Sequence, residues 1–111
     1  MIFRGEIYWV DLGRPIGHEP GKTRPGVVVS ANLLSNGPGR IVGIVPITSS
    51  DFGLRSHVAL DSEETGLLQP SFARCDQLRM LSIERLSGRL GFVPIDRMNT
   101  IDDCLRFVLN L

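Results

Sequence analysis

The loop Gly17-His18-Glu19-Pro20-Gly21-Lys22-Thr23-Arg24-Pro25 runs straight into the apolar stretch Gly26-Val27-Val28-Val29-Ser30. Pro25 fixes its own φ and biases the residue before it towards extended backbone, so the Arg24 guanidinium is aimed rather than floppy. A second feature is Val45-Pro46-Ile47-Thr48-Ser49-Ser50, where an apolar run ends in three consecutive hydroxyls. A guanidinium presents a fork of donors matched to phosphate oxygens, and a hydroxyl adds a neutral donor. Together they suit the stabilisation of negative charge that develops on a phosphate. Taken residue by residue, each feature also has a simpler description. Arg24 on its own reads first as a solvated charge on a turn, and the hydroxyls equally as groups that satisfy the turn's own backbone.

The elements that would position these groups are short strands divided by turn residues. Ile7-Tyr8-Trp9-Val10 is rich in β-formers and ends at Asp11-Leu12-Gly13-Arg14-Pro15. Residues 13–25 hold three Gly and three Pro, which describes a loop. The β-branched run at residues 26–30 predicts a strand buried on both faces. Ser35-Asn36-Gly37-Pro38-Gly39 predicts a turn, and residues 40–48 a strand in which Pro46 suggests an edge, a bend or a bulge. His57-Val58-Ala59-Leu60 is a further short strand. Residues 71–81 read as extended, 82–86 as a single helical turn and 89–93 as a last strand. From about Pro94 the period becomes helical: Met98, Ile101, Leu105 and Val108 make one apolar stripe. Many short strands and one terminal helix predict a mainly β fold, a small barrel or sandwich that leaves function to its loops.

The chain of 111 residues has room for one domain, residues 1–111, and is small enough that oligomerisation would help its stability. Its net charge is zero, with eleven Arg against the single Lys22. Residues 1–60 carry six basic and four acidic side chains, and residues 61–111 six and eight, so a modest positive bias falls on the half with the Gly/Pro loop. No apolar run approaches the ~20 residues of a bilayer span, and no signal peptide is visible at the start; the expected compartment is the cytoplasm. Cys75, read as a strand residue, and Cys104, on or beside the helix stripe, match no redox or metal-ligand spacing and are expected to be reduced, buried thiols. With two histidines and no Cys/His cluster, no metal site or cofactor is expected.

The opening Arg4-Gly5-Glu6-Ile7-Tyr8 and the G-x-E-x-x-x-x-R-P loop at residues 17–25 resemble the MazF/PemK toxin family. The resemblance continues through VPITSS at 45–50, HVAL at 57–60, CDQLRMLS at 75–82 and the terminal helix, so it spans essentially the whole chain. It implies an SH3-like barrel with a C-terminal helix, a homodimer, and a sequence-specific, metal-independent endoribonuclease held in check by an antitoxin protein. The family's catalytic pair falls on Arg24 and Thr48, Glu19 on an acidic loop position, and Asp76-Gln77 on a pair near the same groove. His18, Pro20 and Thr23 depart from common family residues, which bears on the sequence that is cut rather than on the chemistry.

RNA cleavage without metal uses the 2′-OH as nucleophile. It needs an acceptor for that proton, stabilisation of the phosphorane and a proton for the departing 5′-oxygen. Arg24 and Thr48 suit the second requirement, giving 2′,3′-cyclic phosphate and 5′-OH ends. A guanidinium is a poor proton acceptor, so the acid/base candidates are Glu19 and His57, with His18 behind them and a structural hydrogen bond the simpler role for His57. Contacts to single-stranded RNA are expected from Lys22, Thr23, Ser49, Gln77 and Arg79. Trp9 could stack on a base, but in an apolar strand it reads first as core. A non-enzymatic, CcdB-like toxin that binds DNA gyrase is the main alternative; that group lacks the Arg-Pro loop and the Thr after the second strand. A peptide-binding SH3-like adaptor would need an aromatic-lined groove, and no aromatic cluster is evident.

Overall fold

A computed structural model describes residues 1–111. The β-forming stretches become seven antiparallel strands: β1 (Glu6–Asp11), β2 (Thr23–Val28), β3 (Ile41–Thr48), β4 (His57–Leu60), β5 (Ser71–Arg74), β6 (Arg79–Ser82) and β7 (Leu86–Phe92). Helix α1 (Asn32–Ser35) is a single turn, and α2 (Ile95–Leu109) ends the chain. Strands run in the order β4-β5-β3-β2-β1-β7, with β6 paired to the other half of β3. The mainly β architecture with a terminal helix is the one expected from the sequence.

Both faces of the central strands are buried. Val27, Val45 and Ile47 point into one apolar cluster, which α2 closes with Met98, Ile101 and Cys104. Val28, Val42 and Ile44 point the other way, into a second cluster with Val10, Leu12 and Leu81. Hence the uninterrupted valines of β2: a strand with core on each side cannot alternate apolar with polar.

Pro46 is not at an edge. It lies fully buried in the centre of the sheet, opposite Gly26 of β2. On its other side β3 changes neighbour: Ile41–Ile44 pair with β6, whereas Ile47 and Thr48 pair with β5. A residue without an N–H fits this gap in the ladder, where no partner strand awaits a donor. Gly26 is equally constrained, since a Cβ there would stand 2.6 Å from Ile44 Cγ2 and 3.0 Å from Val10 Cγ2.

Boundaries differ from expectation in four places. Strand β2 begins at Thr23, so Arg24 lies within it rather than at its entrance. The extended stretch 71–81 is broken by a 3-10 turn at Cys75–Gln77, which carries the chain from β5 to β6 and takes Cys75 out of a strand. The last strand starts at Leu86 rather than 89. Ahead of the glycines at 37 and 39, Asn32–Ser35 coil into α1, held by a buried Ser30–Ser35 hydroxyl contact of 2.6 Å.

The Arg4-Gly5-Glu6 motif is architectural. Arg4 Nε donates to the Val29 carbonyl at 2.8 Å while its guanidinium pairs with Asp102, fastening α2 to the end of β2. Gly5 adopts φ +95°, where it donates to Val28 and accepts from Val93. Glu6 accepts from the Phe3 N–H (2.6 Å), Tyr8 hydroxyl (3.0 Å) and Arg89 Nε (2.6 Å). Burial is the largest single influence on the Glu6 carboxyl and pushes its pKa up. The three donors together outweigh burial and hold it below its ordinary value.

Candidate functional site

The last β2–β3 pair is Gly26↔Pro46. Carried two residues further, that antiparallel register sets Arg24 opposite Thr48, and directly opposed residues share a face of the sheet. Both side chains line one cavity of about 340 Å³, together with Lys22, Glu19, Ser50 and Arg74. Each is oriented. Arg24 Nε donates to the Gly21 carbonyl at 3.1 Å, and its terminal nitrogens have no partner within the chain. Thr48 Oγ1 accepts from the Ser50 N–H at 3.1 Å, which leaves its hydroxyl proton to donate elsewhere. The hydroxyl therefore satisfies the turn and still faces the cavity; the two descriptions of it are compatible.

The loop that carries the cations is braced. Lys22 adopts φ +63°, a left-handed conformation that costs roughly 1–2 kcal/mol in a residue with a Cβ. It is held there by two backbone hydrogen bonds, Lys22 N–H to Gly13 at 2.7 Å and Leu12 N–H to Lys22 at 2.8 Å. Pro15 folds against Gly21, where any Cβ would collide with its ring.

Arg74 was not singled out from the sequence, yet it belongs to this cavity. The pairs Ile47↔Ala73 and Thr48↔Phe72 put Phe72 on the face of Thr48, and Arg74, two residues on, shares it. Its guanidinium lies 5.6 Å from the Phe52 ring and donates weakly to the His18 carbonyl at 3.4 Å; its Nε is buried without a partner. The alternation in Ser71-Phe72-Ala73-Arg74-Cys75, buried at odd positions and half-buried at even ones, is the available signal. It becomes legible only once β5 is known to pair with the Thr48 end of β3. Three cations against the single carboxylate of Glu19 give a locally positive cavity on a neutral chain, suited to a phosphodiester.

Thr23 and Ser49 line a neighbouring cavity of about 450 Å³, which shares Arg24 and Ile47 with the first. Trp9 lines it too and is 39% exposed, so it is not core. The remaining candidates lie elsewhere. The His57 side chain is 3% exposed and borders a third cavity, between β4 and α2. Its Nε2 stands 3.2 Å from Asp76 Oδ1 without hydrogen-bond alignment, so both ring nitrogens lack a formal partner. Its link to the first cavity is an edge-on contact with Phe52, ring centres 5.9 Å apart. Gln77, in the turn after β5, lines none of these cavities, and neither does Arg79, whose Nη1 donates to the Leu12 carbonyl at 2.9 Å. The two cysteines meet: burial first, and then Cys104 beside it, push the Cys75 thiol pKa up, the mark of an inert, protonated thiol.

A family model described as PemK-like, MazF-like toxin of type II toxin-antitoxin system matches residues 3–109. The endoribonuclease MazF9 of Mycobacterium tuberculosis is 35% identical over 116 residues, covering 100% of this chain and 98% of the relative. Among solved structures, a mycobacterial endoribonuclease in complex with its cognate antitoxin superposes with a TM-score of 0.82 at 26% identity, covering 100% and 97% of the two chains. MazF from Deinococcus radiodurans gives 0.85 at 23% identity over 99% and 97%, a likeness of fold.

Proposed function

The chain belongs to the PemK-like, MazF-like toxin family, and from that premise we propose that it is an endoribonuclease toxin that cuts single-stranded RNA at defined sequences without a metal ion. The observation that carries the chemistry is the shared cavity: Arg24 and Thr48, distant in sequence, face one space wide enough for a phosphodiester. In the proposed reaction the 2′-oxygen attacks phosphorus, a P–O2′ bond forms, and the P–O5′ bond breaks. Arg24 receives two non-bridging oxygens on its free terminal nitrogens, and Thr48 donates to the same charge. Lys22 and Arg74 offset the dianionic charge of the phosphorane. Glu19, the one carboxylate lining the cavity, takes the 2′-OH proton, and the departing 5′-oxygen is protonated from solvent. The products carry 2′,3′-cyclic phosphate and 5′-OH ends.

Thr23 and Ser49 contact RNA beside the cut in this scheme, and Gln77 and Arg79 contact it further out. A cognate antitoxin, as in the solved mycobacterial complex, would silence the enzyme by covering the cavity. The toxin acts as a single-domain protomer of a homodimer, in the cytoplasm with its RNA target. No helix is long and apolar enough to cross a membrane. No observation favours the gyrase-binding alternative.

The test is to incubate purified protein with a long RNA in excess EDTA and map the breaks. Discrete cuts bearing cyclic phosphate ends are expected, blocked by 2′-deoxy substitution at the cut nucleotide. Intact RNA, or cleavage that needs a divalent ion, would remove the proposal.

A further inference from the structure

The two cavities that meet at Arg24 differ in kind. The first holds three cations; in the second Arg24 is the only charged residue. The second is otherwise walled by Trp9, Leu67 and Leu90, with Thr23, Ser49 and Gln69 supplying hydroxyls and an amide. Its volume of about 450 Å³ falls within the range of small-ligand clefts, about 300–1,000 Å³. Phosphate gains little from such walls. A flat neutral heterocycle gains much, because its faces stack on aromatic and apolar surface while its edge meets hydroxyl and amide groups.

The walls are built rather than incidental. Strand β1 pairs with β7 at Tyr8↔Arg89 and Val10↔Leu86, so one residue, Trp9, faces two, Ser87 and Gly88. The extra residue belongs to β7, whereas β1 keeps an unbroken register with β2 through Trp9↔Pro25, so Trp9 shares the face of Ile7 and stands towards the end of its strand, 39% exposed. The opposite wall, residues 66–71, is pinned to β7. Gly66 takes φ +70° with its Cα against the Leu90 carbonyl, and Gly91 lies against the Glu64 carbonyl; a Cβ at either would collide. Thr65, buried, donates to the Ser62 carbonyl at 2.8 Å and accepts from the Leu67 N–H at 3.2 Å. The Ser71 hydroxyl donates to the Gln69 carbonyl at 3.0 Å, fixing the backbone that bears the amide.

We propose that this second cavity takes one unpaired nucleobase adjacent to the scissile phosphate, stacked on Trp9 and read at its edge by Gln69, and so sets part of the sequence that is cut. The proposal rests on the ribonuclease function above. The two cavities open on opposite faces of β2 and meet at its first residues, where Arg24 lines both. This favours a base over an apolar side chain of a protein partner: a nucleotide whose phosphate sits on Arg24 can turn its base round that strand end into the adjoining space. A leucine or valine, moreover, would leave the amide and hydroxyls without partners.

The experiment uses the full chain and synthetic RNA. After the cut motif is mapped, oligonucleotides are made with an abasic ribose at each nucleotide flanking the cut, and kcat/KM is measured. One abasic position should lower wild-type kcat/KM by roughly 5- to 150-fold, the range given by base–aromatic stacking. Trp9→Ala should lower activity on the intact motif and lose most of that abasic penalty, and Gln69→Ala should broaden the bases accepted there. Equal cleavage of all abasic substrates by the wild type overturns the proposal without requiring any variant to fold. A Trp9→Ala protein with the full abasic penalty overturns it too. So does one that changes oligomeric state while keeping its base preference, which would give the cavity to a protein partner. Absence of any cleavage by the wild type removes the ribonuclease function itself, whereas specific cleavage indifferent to the flanking bases removes this proposal alone.

Discussion

Replacing Arg24 by lysine keeps a positive charge on a long side chain and changes only how that charge is presented. In the structure Nε is held by the Gly21 carbonyl at 3.1 Å, which fixes the guanidinium plane and turns both terminal nitrogens towards the cavity shared with Thr48. Lysine has no second nitrogen with which to hold Gly21, and its ammonium is a point charge that cannot grip two oxygens in parallel. The variant therefore loses one preorganised donor to the phosphorane and the brace that aims the other. Removing one such donor costs ~10²–10³ in rate. Arg24 is solvent-exposed and its cavity open, so the lower end applies and the expected loss is ~10²-fold. Single-turnover cleavage of a short RNA, with enzyme in excess, reads this directly, and a thermal melt checks that the fold is intact. Arg24→Ala should lose more, because it also removes the charge. A lysine variant within about threefold of the wild type would show that charge alone suffices and that bidentate geometry contributes little.

Three further expectations concern the scaffold. Glu6→Gln keeps the shape but removes the charge that Arg89 and Phe3 stabilise, and should cost about 1 kcal/mol at pH 7, a fall in Tm of roughly 4 °C. Because the folded carboxyl lies below its ordinary value of 4.5, its stabilisation is complete above that value and disappears as pH falls through the folded pKa. The wild-type advantage should therefore vanish in acid; an equal deficit at pH 3 and pH 7 would refute the assignment. Gly66→Ala forces a Cβ into a left-handed φ of +70° and onto the Leu90 carbonyl, and should cost more than about 2 kcal/mol in urea unfolding. A change under about 0.5 kcal/mol would show that the segment is not pinned. Cys75, buried and with its thiol pushed up, should resist iodoacetamide in the native protein and react on unfolding. Rapid native labelling would contradict that burial.

The strands and the final helix were legible because their signals are local. Turn residues punctuate the chain, Val27 and Val28 announce a strand with core on both faces, and Met98 and Ile101 mark the buried side of α2. What was not legible depends on which strands lie side by side. Pro46 suggested an edge or a bend, and its place is a central strand where the neighbour changes from β6 to β5. Trp9 read as core because a tryptophan in an apolar strand usually is; it shares the face of Ile7 but stands nearer the strand's end, 39% exposed, while Val10 points into the cluster on the other face. For the site, Arg24, Thr48, Glu19 and Lys22 could be named in advance and are gathered in one cavity. Arg74 could not, because nothing in residues 71–75 says that β5 lies beside Thr48. His57 was named for its chemistry, and the fold buries it under Phe52 and beside α2. Cys75 and Cys104 are 29 residues apart in sequence, and only the packing of α2 over the turn after β5 makes them neighbours.

If guanidinium and hydroxyl grip the same phosphate, neither can act at full strength without the other. A double-mutant cycle on the single-turnover cleavage rate, with Arg24→Ala, Thr48→Val and the pair combined, measures that dependence. The double variant should lose far less than the product of the two single losses, as groups that work as one unit do. Losses that simply multiply would mean that the two side chains act independently, and the shared phosphate would have to be abandoned.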